Sequence, residues 1–396
     1  MGAKKSITDG ITDPDDLAKY PIESAITAMD ALLSATLSQL ERLVAFDTRN
    51  PPRRISADGV FAYLQSQLRD FRCELIDHGD GSLSLHAVRG NPLLLWNVHL
   101  DTVPDSPQWT INPFSLRLNA QRAYGLGVCD IKGAAAALIA AVNGCQNDAA
   151  LLFTSDEENN DARAVSAFVQ RKHAYAAVIV AEPTQCQAVL THRGICSVRV
   201  GFVGKAVHGS FAQINDQSAV HKALVWGAQA LKQVASYATI QYDGLEGLRF
   251  NIGTMAGGIK GNIVAPSAEL RCSMRPLPSM DTTAVLHQLA TCAAPCPDLF
   301  DVIFQGPSLP SANANDVASL RAAAVKVAEA LKSPIGPAVD FWTEAALFSA
   351  AGFPSFVFGP GDIRQAHSAD EFIEISQLES YVNAVYRMLT RPSHLG

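Results

Sequence analysis

Two blocks of alternating helix and strand periodicity, separated by a stretch of different rhythm at residues 195–304, constrain this chain more than any other feature. In the first block apolar residues recur at helical spacing over 32–46 and 61–68, and β-rich runs follow at 83–87 and 93–98. The Ala-rich segment after Asp130 reads as a helix, 149–154 as a strand, 162–171 as a helix and 177–180 as a strand. Such alternation is the signature of an α/β sheet layered between helices. From 195 to 304 strands at 196–203 and near Phe250 and Ala268 flank two helices instead, around 218–234 and 283–292. This reads as a smaller inserted α+β domain. After Pro310 the first style returns, with helices at 317–331, 344–350 and 377–389 and a strand at 355–358. The expected organisation is a discontinuous larger domain, residues 29–194 and 305–396, carrying an insertion at 195–304 and preceded by a flexible extension at 1–28.

Two domains also suit a chain of 396 residues, and 48% hydrophobic residues can fill two cores. The net charge of -7, with no run of Lys and Arg, argues against nucleic acid as a partner. The longest apolar stretch, 133–142, is far shorter than the roughly 18 to 20 residues of a membrane span. Residues 1–28 contain acidic groups and a Pro but no apolar core, so they do not read as a signal peptide. Eight cysteines are scattered without a CxxC pair, which suits reduced, mostly buried thiols in a cytoplasmic protein.

Several fragments could carry chemistry. The strand at 93–98 runs into His99-Leu100-Asp101, and residues two apart on a strand project from one face. His99 can therefore bind a metal while Asp101 holds its other ring nitrogen. A polar loop is the plainer reading of such a triplet taken alone. The turn Gly125-Leu126-Gly127-Val128-Cys129-Asp130-Ile131-Lys132-Gly133 invites a nucleotide-loop reading, but it lacks the third glycine at GxGxxG spacing. Asp130 at that turn could give one oxygen to each of two cations. Asp156-Glu157-Glu158 follows a strand end, where open α/β sheets place their ligands, although taken alone a solvated helix start is the more usual reading. Glu182, after the strand at 177–180, and His367 near the C-terminus each offer one more donor.

In the order HxD, GxGxxDxKG, DEE, EPT and GPGxxxxAH, from about Leu33 to Leu389, the sequence resembles the aminoacylase and acetylornithine deacetylase group of metallopeptidases, which also holds succinyl-diaminopimelate desuccinylase and carboxypeptidases. The segments NVHLDTVPDSP, GLGVCDIKGAAAAL, VDFWTEA and GPGDIRQAHSADEF look most like the acetylcitrulline deacetylase branch. The resemblance implies a catalytic domain with a mixed sheet between helices and an inserted dimerisation or lid domain. It also implies two metal sites: His99, Asp130 and Glu182 at one, Asp130, Glu158 and His367 at the other, with Asp130 shared. Such mixed oxygen and imidazole ligands suit zinc, one or two ions, with cobalt or manganese as substitutes. Glu157 would then be the general base and acid. His208, within Gly204-Lys205-Ala206-Val207-His208-Gly209-Ser210, would reach a partner subunit's site and polarise the scissile carbonyl. Asn262 and Arg275 would grip the substrate carboxylate, as would backbone N–H groups of the Gly359-Pro360-Gly361 turn. Asn97, Leu126 and Glu344 depart from the commoner residues at their positions and bear on the substrate rather than the metals.

The implied activity is hydrolysis of the amide of an N-acetylated amino acid, N-acetyl-L-citrulline or N-acetyl-L-ornithine, releasing acetate in arginine biosynthesis. The implied partners are that small molecule and a second copy of the chain. A dipeptidase, carboxypeptidase or desuccinylase on the same scaffold is the alternative within the enzyme class. A non-catalytic binding homologue is the alternative outside it, disfavoured because a binding module needs no general base.

Overall fold

In the computed structural model, residues 31–159, 161–212, 218–311 and 316–390 are described, so the expected extension at 1–28 lies outside the described residues. The chain begins with α1 (Ala31–Val44), a π-helical turn at Ala57–Phe61 and α2 (Ala62–Gln67), then β1 (Arg72–Asp77), β2 (Leu83–Arg89) and β3 (Leu94–His99). Next come β4 (Arg117–Leu118), β5 (Arg122–Tyr124), α3 (Lys132–Asn143), β6 (Ala149–Thr154), α4 (Arg163–Val169) and β7 (Ala177–Val180). The middle of the chain supplies β8 (Ile195–Val203), α5 (Ala219–Ala235), the short hairpin β9 (Gln241–Tyr242) and β10 (Leu245–Glu246), β11 (Arg249–Gly257), β12 (Ser267–Arg275), α6 (Thr282–Ala290) and β13 (Leu299–Gly306). It closes with α7 (Val317–Ala330), α8 (Ala345–Ala350), β14 (Ser355–Val357), β15 (Phe372–Glu374) and α9 (Ile375–Thr390).

The first compact unit is built on a six-stranded sheet of order β1-β2-β6-β3-β7-β14. β3, β6, β7 and β14 are mutually parallel, while β2 joins β6 antiparallel, so the sheet is mixed. The central strands read as unbroken apolar runs because both faces are covered, and every residue of β6 and β7 is buried. Alanine explains α3: it is buried along its length except at Asn143, it packs against α1, α9 and β3, and small side chains allow that close approach. A small sheet, β15-β5-β4, sets Phe372 opposite Tyr124.

The second unit is an antiparallel sheet of order β11-β12-β8-β13 with helices on one face. Its core alternates along β12 (Ala268, Leu270, Cys272, Met274) and along β8 (Val198, Val200, Phe202). It meets Ala219, Ala223, Trp226 and Ala230, one stripe of α5, and the Trp226 indole donates to the Leu289 carbonyl at 2.9 Å. Asp281 caps α6 through the amides of Thr283 and Ala284, a cap worth about 1 kcal/mol.

The compact units divide elsewhere than the change of rhythm suggests. The second comprises Val189–Ala322 and Pro337–Gly352, not 195–304 alone. Side-chain chemistry explains the difference. The fully buried Arg193 donates to Asp340 and to the carbonyls of Glu246, Gly247 and Arg275, His192 pairs with Thr343, and the Trp342 indole donates to the Pro307 carbonyl. These links draw 337–352 into the second unit, and periodicity carries no trace of them.

Candidate metal centre

Parallel pairing decides where the acids go. His99 ends β3 in register with Thr154 of β6, and Asn97 of the same strand pairs with Val180 of β7. The chain leaves all three strands at one edge, so His99, the Asp156-Glu157-Glu158 segment and Glu182 arrive together. Asp130 comes from the turn before α3 and His367 from the segment before β15. His367 adopts a left-handed backbone (φ +59°), a conformation uncommon for a residue with a side chain and frequent at functional sites.

Two donor groups result, and each has ligand atoms within 4.8 Å of one another: His99, Asp130 and Glu182, and Asp130, Glu158 and His367. In the first, His99 Nε2 stands 3.1 Å from Asp130 Oδ1 and 3.5 Å from Glu182 Oε1. In the second, His367 Nε2 stands 3.3 Å from Asp130 Oδ2 and 3.2 Å from Glu158 Oε1. Asp130 thus divides its two oxygens between the groups. The other nitrogen of His99 faces acceptors: Nδ1 donates to the main-chain carbonyl of Asp101 at 3.0 Å, with Asp101 Oδ1 at 3.4 Å. The sequence suggested the carboxylate as that partner; the carbonyl is the nearer acceptor. Both orient the ring with Nε2 toward the acids.

Electrostatics tests whether cations fit. Burial pushes the carboxyls of Glu157 and Glu158 up and that of Glu182 up to about 7, and neighbouring acids add to each shift. Burial also opposes charge on His99, yet Glu182, Asp101 and Asp130 hold its proton affinity well above the ordinary value. Hydrogen bonds to Asp130 and Glu158 raise His367 to about 11. Asp101 Oδ1, also buried, has His99 Nδ1 at 3.4 Å beside it. Divalent cations would relieve this excess of buried acid, and the donor set fits them.

The three consecutive acids have separate surroundings. Asp156 turns inward, where Oδ2 accepts from Ser82 Oγ at 2.7 Å and from the Ala164 amide at 3.0 Å. Glu158 joins a donor group, while Glu157 belongs to neither group and lies in the field of His99, Glu158, Glu182 and Asp130.

The glycine turn departs from expectation. The Gly359 amide donates to Thr184 Oγ1 at 3.1 Å and the Gly361 amide to Gln377 Oε1 at 3.4 Å, so both are spent within the chain and do not present themselves to a carboxylate. Packing is their role instead. A Cβ at Gly359 would stand 2.4 Å from the Glu182 carbonyl, and one at Gly361, where φ is +87°, 2.8 Å from Cys129 Sγ. Only glycine lets this turn lie against both ligand-bearing segments.

His208, Asn262 and Arg275 belong to the second unit. His208 and Asn262 are neighbours, because the antiparallel pairing of β8 with β12 continues past the strand ends: Val264 N–H donates to Val207 O, and Gly209 N–H to Asn262 O at 2.7 Å. Both are exposed. Arg275 sits at the opposite end of β12, whose nine residues span roughly 27 Å.

Sequence reading overlooked Asn50. Its side-chain amide donates to Asp101 Oδ2 at 3.0 Å and to the Ser155 carbonyl at 3.3 Å. It also overlooked Glu371, which accepts from three amides of the Gly127–Asp130 turn. Neither has a local signal beyond its nearness to a motif.

A nest of acids and imidazoles at the carboxyl ends of the parallel strands of a mixed sheet, with a second unit inserted after it, defines a divalent-cation-dependent hydrolase. The description Peptidase family M20/M25/M40 matches residues 95–391, and the chain belongs to that family. The N-acetyl-L-citrulline deacetylase of Xanthomonas campestris pv. campestris is 56% identical over 362 residues, covering 91% of this chain and 99% of that one. The acetylornithine deacetylase of Salmonella paratyphi B is 32% identical over 298 residues, covering 71% and 75%. Among solved structures, the di-peptidase Dug1p of Saccharomyces cerevisiae superposes with a TM-score of 0.67 at 15% identity, covering 93% of this chain and 98% of its own. That likeness shows the fold alone.

Proposed function

We propose that this enzyme hydrolyses the acetyl amide of N-acetyl-L-citrulline, releasing acetate and the free amino acid, with N-acetyl-L-ornithine as a poorer substrate. The observation that carries the hydrolytic reading is the division of Asp130 between two donor groups. The citrulline preference rests on the 56% identical relative named for that substrate and on the burial of Glu344, only 1% exposed, which keeps the carboxylate best suited to an ornithine ammonium covered. We assign His99, Asp130 and Glu182 to one zinc ion and Asp130, Glu158 and His367 to a second, with cobalt as a substitute. When bound, such a pair supplies Lewis-acid polarisation and lowers the pKa of water.

The remaining chemistry belongs to side chains. Glu157, kept outside both donor groups, takes a proton from the attacking water as the C–O bond forms and then delivers it to the departing nitrogen as the C–N bond breaks. His208 stabilises the carbonyl oxygen as it gains charge. Its service in a partner's site is supported by the spacing on β12: within one chain Asn262 and Arg275 cannot both grip one small molecule. The occupant we assign to the second unit's free surface is a second copy of the chain, supported by edge strand β11 with exposed Met255 and by exposed Leu224, Val225 and Leu231 on α5. A cytoplasmic setting is supported by eight free cysteines. No helix among the described residues is long and apolar enough to cross a membrane.

The test is acetate release from both acetylated amino acids, with dipeptides alongside, by one zinc-loaded preparation. A kcat/KM for acetylcitrulline well above that for acetylornithine is expected, since a site built around a polar group can reject an analogue lacking it by roughly 10⁴-fold. A ratio at or below one overturns the citrulline assignment; faster cleavage of dipeptides overturns the deacetylase.

A further inference from the structure

Glu371 is 2% exposed and is a member of neither donor group, yet its carboxylate is the focus of the turn that carries Asp130. Oε2 accepts the amide of Gly127 at 2.8 Å, and Oε1 accepts those of Cys129 at 2.8 Å and Asp130 at 3.0 Å. The Glu371 carbonyl accepts a fourth amide, that of Gly125, at 3.1 Å. Pairing of β15 with β5, Phe372 opposite Tyr124, delivers the residue to this position. Four residues earlier in the same segment is His367, the imidazole that faces Asp130 Oδ2.

We propose that Glu371 is the positioning residue of the centre: by gathering the amides of the Gly127–Asp130 turn it fixes the Asp130 carboxylate between the two cation sites before any cation arrives. The inference rests on the cation reading of the two donor groups. A bridging carboxylate must present two oxygens in two set directions, and a turn free to rotate would present one. Three amide hydrogen bonds to a single buried acid remove that freedom. The same acid couples the Asp130 turn to the His367 segment, so two of the three members of the second donor group share one anchor. A neutral amide cannot reproduce the arrangement, because its NH₂ must oppose at least one of the three N–H groups.

The experiment measures zinc affinity of chelator-stripped wild type and Glu371→Gln by competition with a chromophoric chelator, with circular dichroism of each stripped protein as the check on folding. A folded Glu371→Gln that binds zinc roughly 10- to 100-fold more weakly is the expected result, the range for groups that orient ligands. A merely structural role would lower the melting temperature of the stripped protein and leave that affinity unchanged, and such a result overturns the proposal. Asp130→Asn separates the two readings: it should lose both zinc ions, and wild-type zinc binding there overturns the cation reading itself. Should Glu371→Gln not fold, amide hydrogen exchange in stripped wild type decides. Cys129 and Asp130 amides already protected without metal support an anchor that precedes the cations; amides protected only after zinc is added overturn it.

Discussion

The carboxylate of Asp101 accepts a hydrogen bond from the main-chain N–H of Glu158 at 3.0 Å, tying the end of the histidine-bearing strand to the acidic segment that follows the neighbouring strand. The same oxygen accepts from Asn50, while Oδ1 is left toward His99. One buried carboxylate thus orients a donor of each group. Asp101→Ala should keep the fold and weaken zinc binding roughly 10- to 100-fold, as read by chelator competition. Affinity within twofold of wild type would remove Asp101 from the relay.

Glu157→Gln separates chemistry from binding. The substitution keeps shape, leaves both donor groups complete and removes the group that moves the proton. Metal content should be unchanged while kcat falls by about 10²- to 10⁴-fold. Wild-type turnover in a zinc-loaded Glu157→Gln protein would transfer the proton to another residue.

Mixing inactive variants tests the assembly. His208→Ala and Glu157→Gln subunits, each inactive alone, should regain activity after subunit exchange, because one of the two sites in a mixed dimer holds both intact groups. A dead mixture with exchange verified by mass spectrometry places His208 in its own subunit's site.

His192 supplies a pH dependence away from the metal centre. It is fully buried between the Arg193 carbonyl and Thr343 Oγ1, and burial depresses its pKa to about 4. Unfolded, the ring takes up a proton near pH 6.5; folded, it stays neutral down to about 4. Its contribution to stability is therefore fully present above pH 6.5 and is lost as pH falls through the window to 4, amounting to about 3 kcal/mol. In urea unfolding, the advantage of wild type over His192→Gln should shrink by that amount between pH 7 and pH 4. Parallel profiles would show that the ring charges freely in the folded state.

The alternation of periods made the layered α/β sheet legible, and the strand ends at His99 and Thr154 followed from it, because burial on both faces writes an apolar run directly into the chain. Types of residue were legible too: His99, Asp130, Glu158, Glu182 and His367 are donors by chemistry whatever the fold. What sequence could not decide was direction and company. Whether the Gly359 and Gly361 amides faced a ligand depended on Thr184, 175 residues away along the chain, and on Gln377 in the following helix, which claim them. The end of the second unit depended on Arg193 reaching Asp340, a contact of one buried side chain that leaves no periodic mark. Asn50 and Glu371 stayed hidden for the same reason: a hydrogen bond to a distant backbone amide or carboxylate has no local pattern, since its partner is chosen by tertiary packing alone. The sequence by itself determined the layers and the inventory of donors; only the tertiary structure decided which oxygen of Asp130 faces which histidine, because that geometry exists only once the separate segments carrying His99, Asp130 and His367 are held together.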